Sequence, residues 1–309
     1  MRFTSPVIAK LNPKLRFQIA KLVKIEAFRT LFDPNSMRNY AHLSNKPTLV
    51  RIKLNSGSQM YVDLNDIMGF RTALDGVWDD TALRVIQQFP VQNTLYIDIG
   101  ANIGLTSIPI AKLGYETLAF EPNPVALSLI TKNLAINDID RFYLFPFALG
   151  STSENVEMTE IFMPNGNLGA SSTDSHWSPG IENSLRFSVP KISLDKVMNL
   201  LYSKQKLNDY ENLIIKLDIE GQEDAAMAGS EDLIKAMRPV VIFENNPPKD
   251  AEMQSVRFWS KWIDYKFFGH KIDEIENFNE QKRYENVIAI PSEKLEVLGK
   301  NLELLLNSK

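Results

Sequence analysis

Apolar residues recur along the chain first at helical intervals and then with the two-residue period of strands. Over residues 14–32 they return every three or four positions, which predicts an amphipathic helix. Residues 49–54 and 59–62 alternate apolar and polar positions on either side of a turn at residues 55–57, which predicts a β hairpin. We assign these elements to an N-terminal extension over residues 1–77.

From residue 78 onward, short continuous apolar segments alternate with helical ones. The apolar segments are typical of buried strands and lie at residues 94–99, 117–121, 142–147, 212–218, 239–244 and 286–290. The helical segments lie at residues 80–89, 103–113, 124–137, 222–237 and 255–268. This order predicts an α/β domain over residues 78–309, with a mostly parallel sheet covered by helices on both faces. A proline within 142–147 places that strand near an edge of the sheet.

One long segment, residues 148–211, interrupts this alternation and is rich in Gly, Ser and Asn in its first half. Parallel sheets bind ligands beyond the carboxyl ends of their strands, and the segment follows one of those ends. An insertion of this length at that edge is more often a lid or a substrate wall than a linker. We therefore expect residues 148–211 to help enclose a ligand.

Composition narrows the class of protein. The 309 residues include no cysteine, which excludes a thiolate zinc site and a cysteine nucleophile. The sequence has no apolar run long enough to span a membrane and no signal-peptide core near residue 1. We therefore expect a cytoplasmic protein.

Charge is distributed unevenly along the chain. Residues 1–40 contain eight basic and two acidic side chains, a net charge of +6, whereas the whole chain has a formal net charge of −4. The remaining, acidic part of the chain lacks the basic face that neutralises phosphates, so we expect no nucleic-acid partner. The basic segment is expected to pack on the larger domain or to contact an anionic membrane or polymer.

A glycine-rich turn follows the first buried strand and contains Asp98, Gly100, Asn102 and Gly104. A dinucleotide site has a glycine at the middle position, where the backbone approaches a pyrophosphate. Here Asn102 adds a side chain at that position, and the Asp98 carboxylate would repel phosphates. Both features favour a nucleoside ligand that has no phosphates and carries positive charge, such as S-adenosylmethionine. These four residues are the first candidates for cofactor binding.

Glu121 ends the second strand of the domain, seventeen residues after Gly104. A carboxylate at this position can accept hydrogen bonds from both hydroxyls of a ribose. Pro122, Asn123 and Ala148 are expected near the adenine, because they follow the ends of neighbouring strands. Nicotinamide-dependent folds use the same ribose contact, so Glu121 indicates a nucleoside without distinguishing the two ligands.

Four short segments, in a fixed order, resemble a known family. They are Asp98–Gly104 (D-x-G-A-N-x-G), Glu121–Pro124 (E-P-x-P), Ile192–Asp195 (a leucine–aspartate pair) and Lys216–Glu223 (K-x-D-x-E-G-x-E) with Gly229 beyond it. The chain resembles the FkbM family of S-adenosylmethionine-dependent methyltransferases over roughly residues 78–291, including a G-A-S-S stretch at residues 169–172. It departs from the family at Gly269-His270, where Gly-Tyr is common.

The resemblance implies a Rossmann-like class I methyltransferase fold with a mostly parallel, seven-stranded sheet. It also implies S-adenosyl-L-methionine as the cofactor and O-methylation of a hydroxyl on a sugar, a glycan or glycolipid, or a secondary metabolite. Asp218 ends the fourth strand and Glu220 follows two residues later, so both are candidate catalytic residues for aligning the acceptor and receiving its proton. An ordinary aspartate, with a pKa of about 3.9, is a weak base for a hydroxyl. Asp218 could instead position the hydroxyl or bind the ammonium group of the cofactor.

Two other classes of function remain open at this point. One is a nicotinamide-dependent Rossmann oxidoreductase, and the other is a non-catalytic nucleoside-binding module of the same fold. The expected partner is a small-molecule or glycan acceptor, and the sequence does not indicate an oligomeric state.

Metal binding has weaker support. Asp218, Glu220 and Glu244 could bind a divalent ion through oxygen atoms. The three histidines, His42, His176 and His270, are too far apart in sequence for a histidine-rich metal site. We assign no metal ligand, and we keep His176 as a candidate base if the insertion folds over the ligand.

Overall fold

The structure is a computed structural model that describes residues 14, 47–151, 157–163, 168, 185–202, 204–244, 264–271, 274–279 and 284–295. The helix predicted at residues 14–32 lies outside these residues except for Lys14, which is helical. The basic segment before residue 41, His42, His176 and the stretch at residues 169–172 also lie outside them.

The described strands and helices follow the alternation that the sequence predicts. In chain order the strands are β1 Leu49–Lys53, β2 Gln59–Asp63, β3 Thr94–Ile99, β4 Glu116–Phe120, β5 Phe142–Phe145, β6 Ala148–Leu149, β7 Glu157–Met163, β8 Leu185–Ile192, β9 Asn212–Leu217, β10 Val240–Glu244, β11 Tyr265–Lys271, β12 Glu274–Asn277 and β13 Asn286–Pro291. The helices are α1 Ile67–Asp75, α2 Thr81–Ile86, α3 Ser107–Lys112, α4 Pro124–Ala135, α5 Leu194–Leu201, α6 Lys204–Leu207, α7 Glu223–Ala228 and α8 Glu231–Met237.

The central sheet has the order β12-β11-β13-β10-β9-β3-β4-β5. The five strands from β10 to β5 are parallel, and β13 pairs with β10 and β11 in the antiparallel direction. The prediction of a mostly parallel α/β sheet is confirmed, and β5, which precedes Pro146, is an edge strand as expected. The sheet has eight strands rather than seven, because β12 pairs with β11 beyond the expected edge.

The helix predicted at residues 255–268 is wrong in its last part. Tyr265–Phe268 belong to β11, which is paired on one side with β13 and on the other with β12. Aromatic residues fit a strand as well as a helix, so pairing partners that are distant in sequence decide between the two. His270 also lies inside β11 and pairs with Asn286 of β13.

Helices cover both faces of the sheet. On one face α2 and α3 pack on a core around Tyr96, Ile214 and Ile288. On the other face α5, α7 and α8 pack on a core around Ile97 and Phe243. Because helices cover both faces, the side chains on either side of a strand are buried, and the strands consist mostly of apolar residues.

The helix predicted at residues 222–237 is divided into α7 and α8 at Gly229-Ser230. A side chain at position 229 would meet the carbonyl oxygen of Gly150 at 2.0 Å, so only glycine permits this approach. Just beyond it, Asp195 accepts hydrogen bonds from the backbone N–H groups of Asp232 (3.0 Å) and Leu233 (2.9 Å). The leucine–aspartate segment therefore caps α8 and fixes where that helix begins.

The insertion forms a small sheet of its own in the order β6-β8-β7. Strands β7 and β8 are antiparallel, and β6 pairs with the end of β8 in the parallel direction. The N–H of Gly150 also bonds the carbonyl of Ile192 at 3.0 Å. This pairing holds Ala148, at the start of β6, next to the carboxyl ends of the central strands.

The predicted hairpin is confirmed, with β1 and β2 in antiparallel register. Its attachment to the rest of the chain depends on Asn133 of α4, which is fully buried. The Asn133 side chain accepts a hydrogen bond from the N–H of Tyr61 (2.6 Å) and donates to the carbonyls of Tyr61 (3.2 Å) and Ile103 (2.9 Å). One amide thus joins the hairpin to the glycine-rich turn after β3. Among the residues that the structure covers, no helix is long and apolar enough to cross a bilayer.

Candidate functional site

A pocket lies at the carboxyl ends of β3, β4 and β9 and contains about 620 Å³ of empty space, part of it open to solvent. Six of the ten residues predicted for the site line this pocket: Gly100, Asn102, Glu121, Pro122, Ala148 and Asp218. The other four, Asp98, Gly104, Asn123 and Glu220, lie outside its lining. The pocket lies at the edge where parallel sheets bind ligands.

The glycine-rich turn depends on Gly100, which has a φ of +88°. A side chain here would meet the carbonyl oxygen of Asp218 at 2.0 Å and the side chain of Ile219 at 2.9 Å. Gly100 therefore permits the close approach of the segment after β9.

The other two positions of the turn have different surroundings. Asn102 also has positive φ, 51°, and its side-chain oxygen is buried without a hydrogen bond within the described structure. A side chain at Gly104 would meet Ile108 at 2.6 Å and Ile130 at 3.0 Å, so this glycine permits α3 and α4 to pack closely. Asn102 is therefore available to a ligand, whereas Gly104 supports the turn from below.

Glu121 fixes the turn from the neighbouring strand. One carboxylate oxygen accepts the N–H of Asn102 at 2.8 Å, and the other accepts the N–H of Asn123 at 2.7 Å. Burial raises the pKa of Glu121 to about 7, although these two hydrogen bonds lower it. Each oxygen retains a lone pair, which leaves the carboxylate able to accept the hydroxyls of a ribose.

Pro122 and Ala148 line the pocket beside Glu121. Asn123 is buried and begins α4, where its side chain accepts the N–H of Val125 at 2.9 Å. Its side chain is thus used as a helix cap, with Pro124 at the first helical position as the sequence predicted. Phe120 and Phe147 also line the pocket, and with Phe145 they form an aromatic group whose ring centroids are 4.9 to 5.7 Å apart.

Asp98 is buried directly under the turn. Neither of its carboxylate oxygens has a hydrogen bond of ordinary geometry within the described structure. Burial raises the pKa of Asp98 to about 6, while the Lys216 ammonium lowers it and Asp218 raises it. A carboxylate held in this way favours a cationic ligand, because positive charge would offset its lost hydration.

Asp218 and Lys216 form an ion pair at the end of β9. The Lys216 Nζ lies 2.7 Å from Asp218 Oδ2, with the lysine side chain 4% exposed and the aspartate side chain 37% exposed. Lys216 is paired with Asp98 in the register of β3 and β9, so both side chains project from the same face of the sheet. The Asp218 carboxylate faces the pocket and is held by a buried cation from behind.

The segment after Asp218 turns sharply before α7. Glu220 has a φ of 51°, and the Glu223 carboxylate accepts the N–H groups of Ile219 (3.2 Å) and Gly221 (3.3 Å). Burial raises the pKa of Glu223. Glu223 is the last residue of the motif at residues 216–223, and its two hydrogen bonds shape the turn that follows Asp218.

Glu244, at the end of β10, lies close to this acidic turn. Its burial, together with Asp218, Glu220 and Glu223, raises the pKa of Glu244 to about 9, so it is protonated at neutral pH. Within the described ranges, no three His, Asp or Glu side chains are placed to hold a metal ion. His270 is buried on the same face of the sheet as Glu244, since both residues pair with Asn286. Its Nδ1 lies 3.0 Å from the Thr81 hydroxyl oxygen.

Several pocket residues were missed by the sequence analysis, among them Phe147, Leu168 and Gln222. Leu168 is held by its N–H, which donates to the Asp66 carboxylate at 2.7 Å. Gln222 lies within the motif at residues 216–223, and that position was the one available signal for it. No local pattern marks Leu168, because its place depends on a contact across a hundred residues.

The sequence matches the family model described as Methyltransferase FkbM domain over residues 98–285, more than half of the chain. The chain belongs to this family. A comparison with curated proteins gives no match.

Several solved structures are similar to this chain at low sequence identity and with TM-scores below 0.5. An FkbM methyltransferase from Methylobacillus flagellatus KT is 13% identical, with 92% of this chain and 56% of that chain covered and a TM-score of 0.41. A SAM-dependent methyltransferase from Agrobacterium tumefaciens is 6% identical, with coverages of 81% and 72% and a TM-score of 0.44. A tRNA (uracil-54, C5)-methyltransferase from Pyrococcus abyssi, solved with S-adenosyl-L-homocysteine, is 15% identical, with coverages of 79% and 43% and a TM-score of 0.37. The chain thus spans about half the length of the first and third of these proteins.

A comparison of Gly100 with Gly57 separates the cost of the clash with Asp218 from the cost of a side chain at positive φ. Both have φ near +87°, but a side chain at Gly57 meets nothing within 4 Å. Gly57→Ala is expected to lower the free energy of unfolding by about 1 kcal/mol, the cost of the backbone conformation alone. Gly100→Ala adds the clash with Asp218 and is expected to cost about 3 kcal/mol or more. Urea unfolding of both variants tests this, and equal losses would contradict the close approach.

Asp98 is expected to destabilise the unliganded protein at neutral pH. Its folded pKa of about 6 exceeds the ordinary value of 3.8, so the folded state loses stability as pH rises from about 4 to 6 and stays at this lower level above pH 6. Asp98→Asn removes this cost and is expected to raise the free energy of unfolding by about 1 to 3 kcal/mol at pH 7.5, with roughly half that gain at pH 5.

Urea titrations at pH 5 and pH 7.5 measure this effect. Asp138→Asn is the matched control, since Asp138 is exposed in the loop before β5 and should change stability little at either pH. A loss of stability in Asp98→Asn at both pH values would show that the carboxylate has a stabilising partner.

Proposed function

We propose that this protein transfers a methyl group from S-adenosylmethionine to a hydroxyl oxygen of a small-molecule or glycan acceptor. The observation that carries the proposal is the buried Asp98 carboxylate, which has no ordinary hydrogen-bond partner in the described structure and lies beside the pocket-lining Asp218. Two carboxylates in a poorly solvated site favour a ligand with positive charge and no phosphates. Membership of the FkbM methyltransferase family supports the same ligand.

The residues of the pocket fit such a cofactor. Glu121 has oxygens available to ribose hydroxyls, and Pro122 and Ala148 form an apolar wall for a base. Asn102 contributes a buried side-chain oxygen without a partner in the described structure. Asp98, on β3, and Asp218, directly after β9, supply negative charge next to the glycine-rich turn. When bound, S-adenosylmethionine supplies a methyl group on a sulfonium, which is already activated for displacement.

The chemical task left to the chain is to align the acceptor oxygen and to manage its proton. Asp218 is the pocket carboxylate at the end of β9, and one of its oxygens is bound by Lys216. Its other oxygen can accept a hydrogen bond from an acceptor hydroxyl and direct that oxygen towards the methyl group. Glu220 follows on the same turn and is the second candidate for orienting the acceptor.

The charge of the pocket also bears on the class of acceptor. Asp218 lines the pocket, Glu220 and Glu223 lie on the turn that follows it, and the neighbouring Glu244 is protonated at neutral pH. A phosphate or carboxylate acceptor would meet unfavourable charge there, whereas a hydroxyl can donate to carboxylate oxygens. This favours a polyhydroxylated or otherwise uncharged acceptor over a nucleic acid.

Ligand binding tests the cofactor part of the proposal. S-Adenosylmethionine and S-adenosylhomocysteine at about one hundred times their dissociation constants should stabilise the protein by about 2.7 kcal/mol, which corresponds to a rise of several degrees in Tm. NAD at the same concentration should leave Tm unchanged, because Asn102 and the two carboxylates oppose a pyrophosphate. A rise with NAD alone would instead indicate a nicotinamide-dependent oxidoreductase.

Methyl transfer itself is tested with S-adenosylmethionine labelled in its methyl group and a panel of sugars, glycans and hydroxylated metabolites. Asp218→Asn keeps the shape of the side chain and removes its charge, and it is expected to lower kcat/KM at least tenfold, about 1.4 kcal/mol of transition-state stabilisation. Asp209→Asn, at an exposed position after α6, is the matched control and should retain wild-type turnover. Cofactor binding without a labelled product across the panel would indicate a non-catalytic nucleoside-binding module.

A further inference from the structure

Lys216 is a charged side chain buried almost completely inside the sheet. It projects from the middle of the face that carries Asp98, and the structure pairs it with Asp218 at 2.7 Å. A lysine in such a place loses its hydration, which by itself lowers its pKa. The surrounding carboxylates outweigh this effect, and the pKa of Lys216 is raised. Lys216 is therefore a fixed positive charge in the floor of the site.

Carboxylates face this ammonium from several elements. They are Asp98 on β3, Asp218 after β9 and Asp79 in the segment before α2, and the carboxyl group of Glu244 on β10, protonated at neutral pH, lies near it as well. Two further groups lie close to Asp98: the Tyr96 hydroxyl, whose pKa burial and these acids raise, and the Ser107 hydroxyl of α3. Glu121, directly after β4, has its pKa raised by burial and, to a smaller extent, by Asp98 and Asp218.

On this arrangement, and resting on the proposed function, we propose that Lys216 is a positioning residue that holds Asp98 in its ionised form, so that the site can bind a cationic cofactor at neutral pH. Burial and the neighbouring acids both favour a proton on Asp98. The ammonium of Lys216 opposes them directly, because it lies on the adjacent strand at the same register position. Without it, a cationic ligand would have to displace a proton before it could meet a carboxylate.

Two physical effects of Lys216 have opposite signs, which makes the proposal testable. A lysine beside a cationic ligand repels it, so removal of the lysine charge should tighten binding if repulsion were its only effect. A lysine that keeps Asp98 ionised has the reverse effect at neutral pH, because its removal raises the pKa of Asp98. An opposite charge at close range shifts a carboxyl pKa by about 1 to 3 units.

The experiment is isothermal titration calorimetry of S-adenosylmethionine binding between pH 5.5 and 8.5, with wild type, Lys216→Met and Lys216→Arg. If the pKa of Asp98 rises by about two units, Lys216→Met binds about tenfold more weakly than wild type at pH 7 and within about threefold of it at pH 8.5. Lys216→Arg keeps the charge and should stay within about threefold of wild type throughout. The ratio of variant to wild-type dissociation constants cancels the titration of Glu121 and of the ligand's own amine.

An equal or tighter dissociation constant for Lys216→Met at pH 7, or a loss that does not recover at pH 8.5, would overturn the proposal. Circular dichroism checks that each variant folds. If Lys216→Met does not fold, Asp218→Asn serves instead, because removing that acid leaves Lys216 to Asp98 and should move the acid-side loss of affinity to lower pH. An unmoved pH profile in Asp218→Asn then overturns the proposal. Absence of binding by the wild-type protein at every pH would instead refute the proposed function.

Discussion

The close approach of Gly100 to the backbone of Asp218 is the constraint on which the site depends. The Asp218 carbonyl occupies the position that a side chain at Gly100 would need. The N–H of Asp218 donates to the carbonyl of Ile99 at 3.0 Å, so β3 and β9 stay paired to their last residues. This convergence brings Asp98, Lys216 and Asp218 close together, with Asp98 and Lys216 both buried. The charged side chains at the pocket are thus brought together by the close approach of the Gly100 and Asp218 backbones.

This arrangement lowers the stability of the protein without a ligand, and it places acidic groups where a cationic ligand could contact them. Asp98, Glu121 and Glu244 all have raised pKa values because burial penalises their ionised forms. The remaining contacts are already made: Glu121 holds the glycine-rich turn through two backbone hydrogen bonds, and Lys216 holds one oxygen of Asp218. A ligand with positive charge would therefore relieve an existing cost without requiring the turn to rearrange. Preorganisation of this kind is what electrostatic recognition in a poorly solvated site requires.

The sequence was informative where one segment determines its own structure. Continuous apolar runs identified β3 and β13 almost to the residue, and the glycines and acids at strand ends indicated where the pocket lies. It failed where partners distant in the chain decide the outcome. Tyr265–Phe268 form a strand because β13 and β12 pair with them, and Gly229 divides a helix because Gly150 lies against it. The role of Lys216 was missed for the same reason, since a lysine inside an apolar strand has no interpretation until the acids around it are known.

The support of the pocket extends beyond the segment that the family model matches. That match begins at Asp98, yet the carbonyl of Ile103 in the glycine-rich turn is bound by Asn133, whose amide also binds Tyr61 of β2. Asp66, which begins α1, likewise binds the backbone of Leu168 in the pocket wall. Asn133 and Asp66 are both buried, and a buried polar group that loses its partner costs more than the bond contributes. The hairpin and α1 therefore help to hold two parts of the site in position, the glycine-rich turn and the pocket wall at Leu168. The family match includes all the residues that line the pocket, whereas part of the contacts that hold the turn and the wall in place comes from outside it.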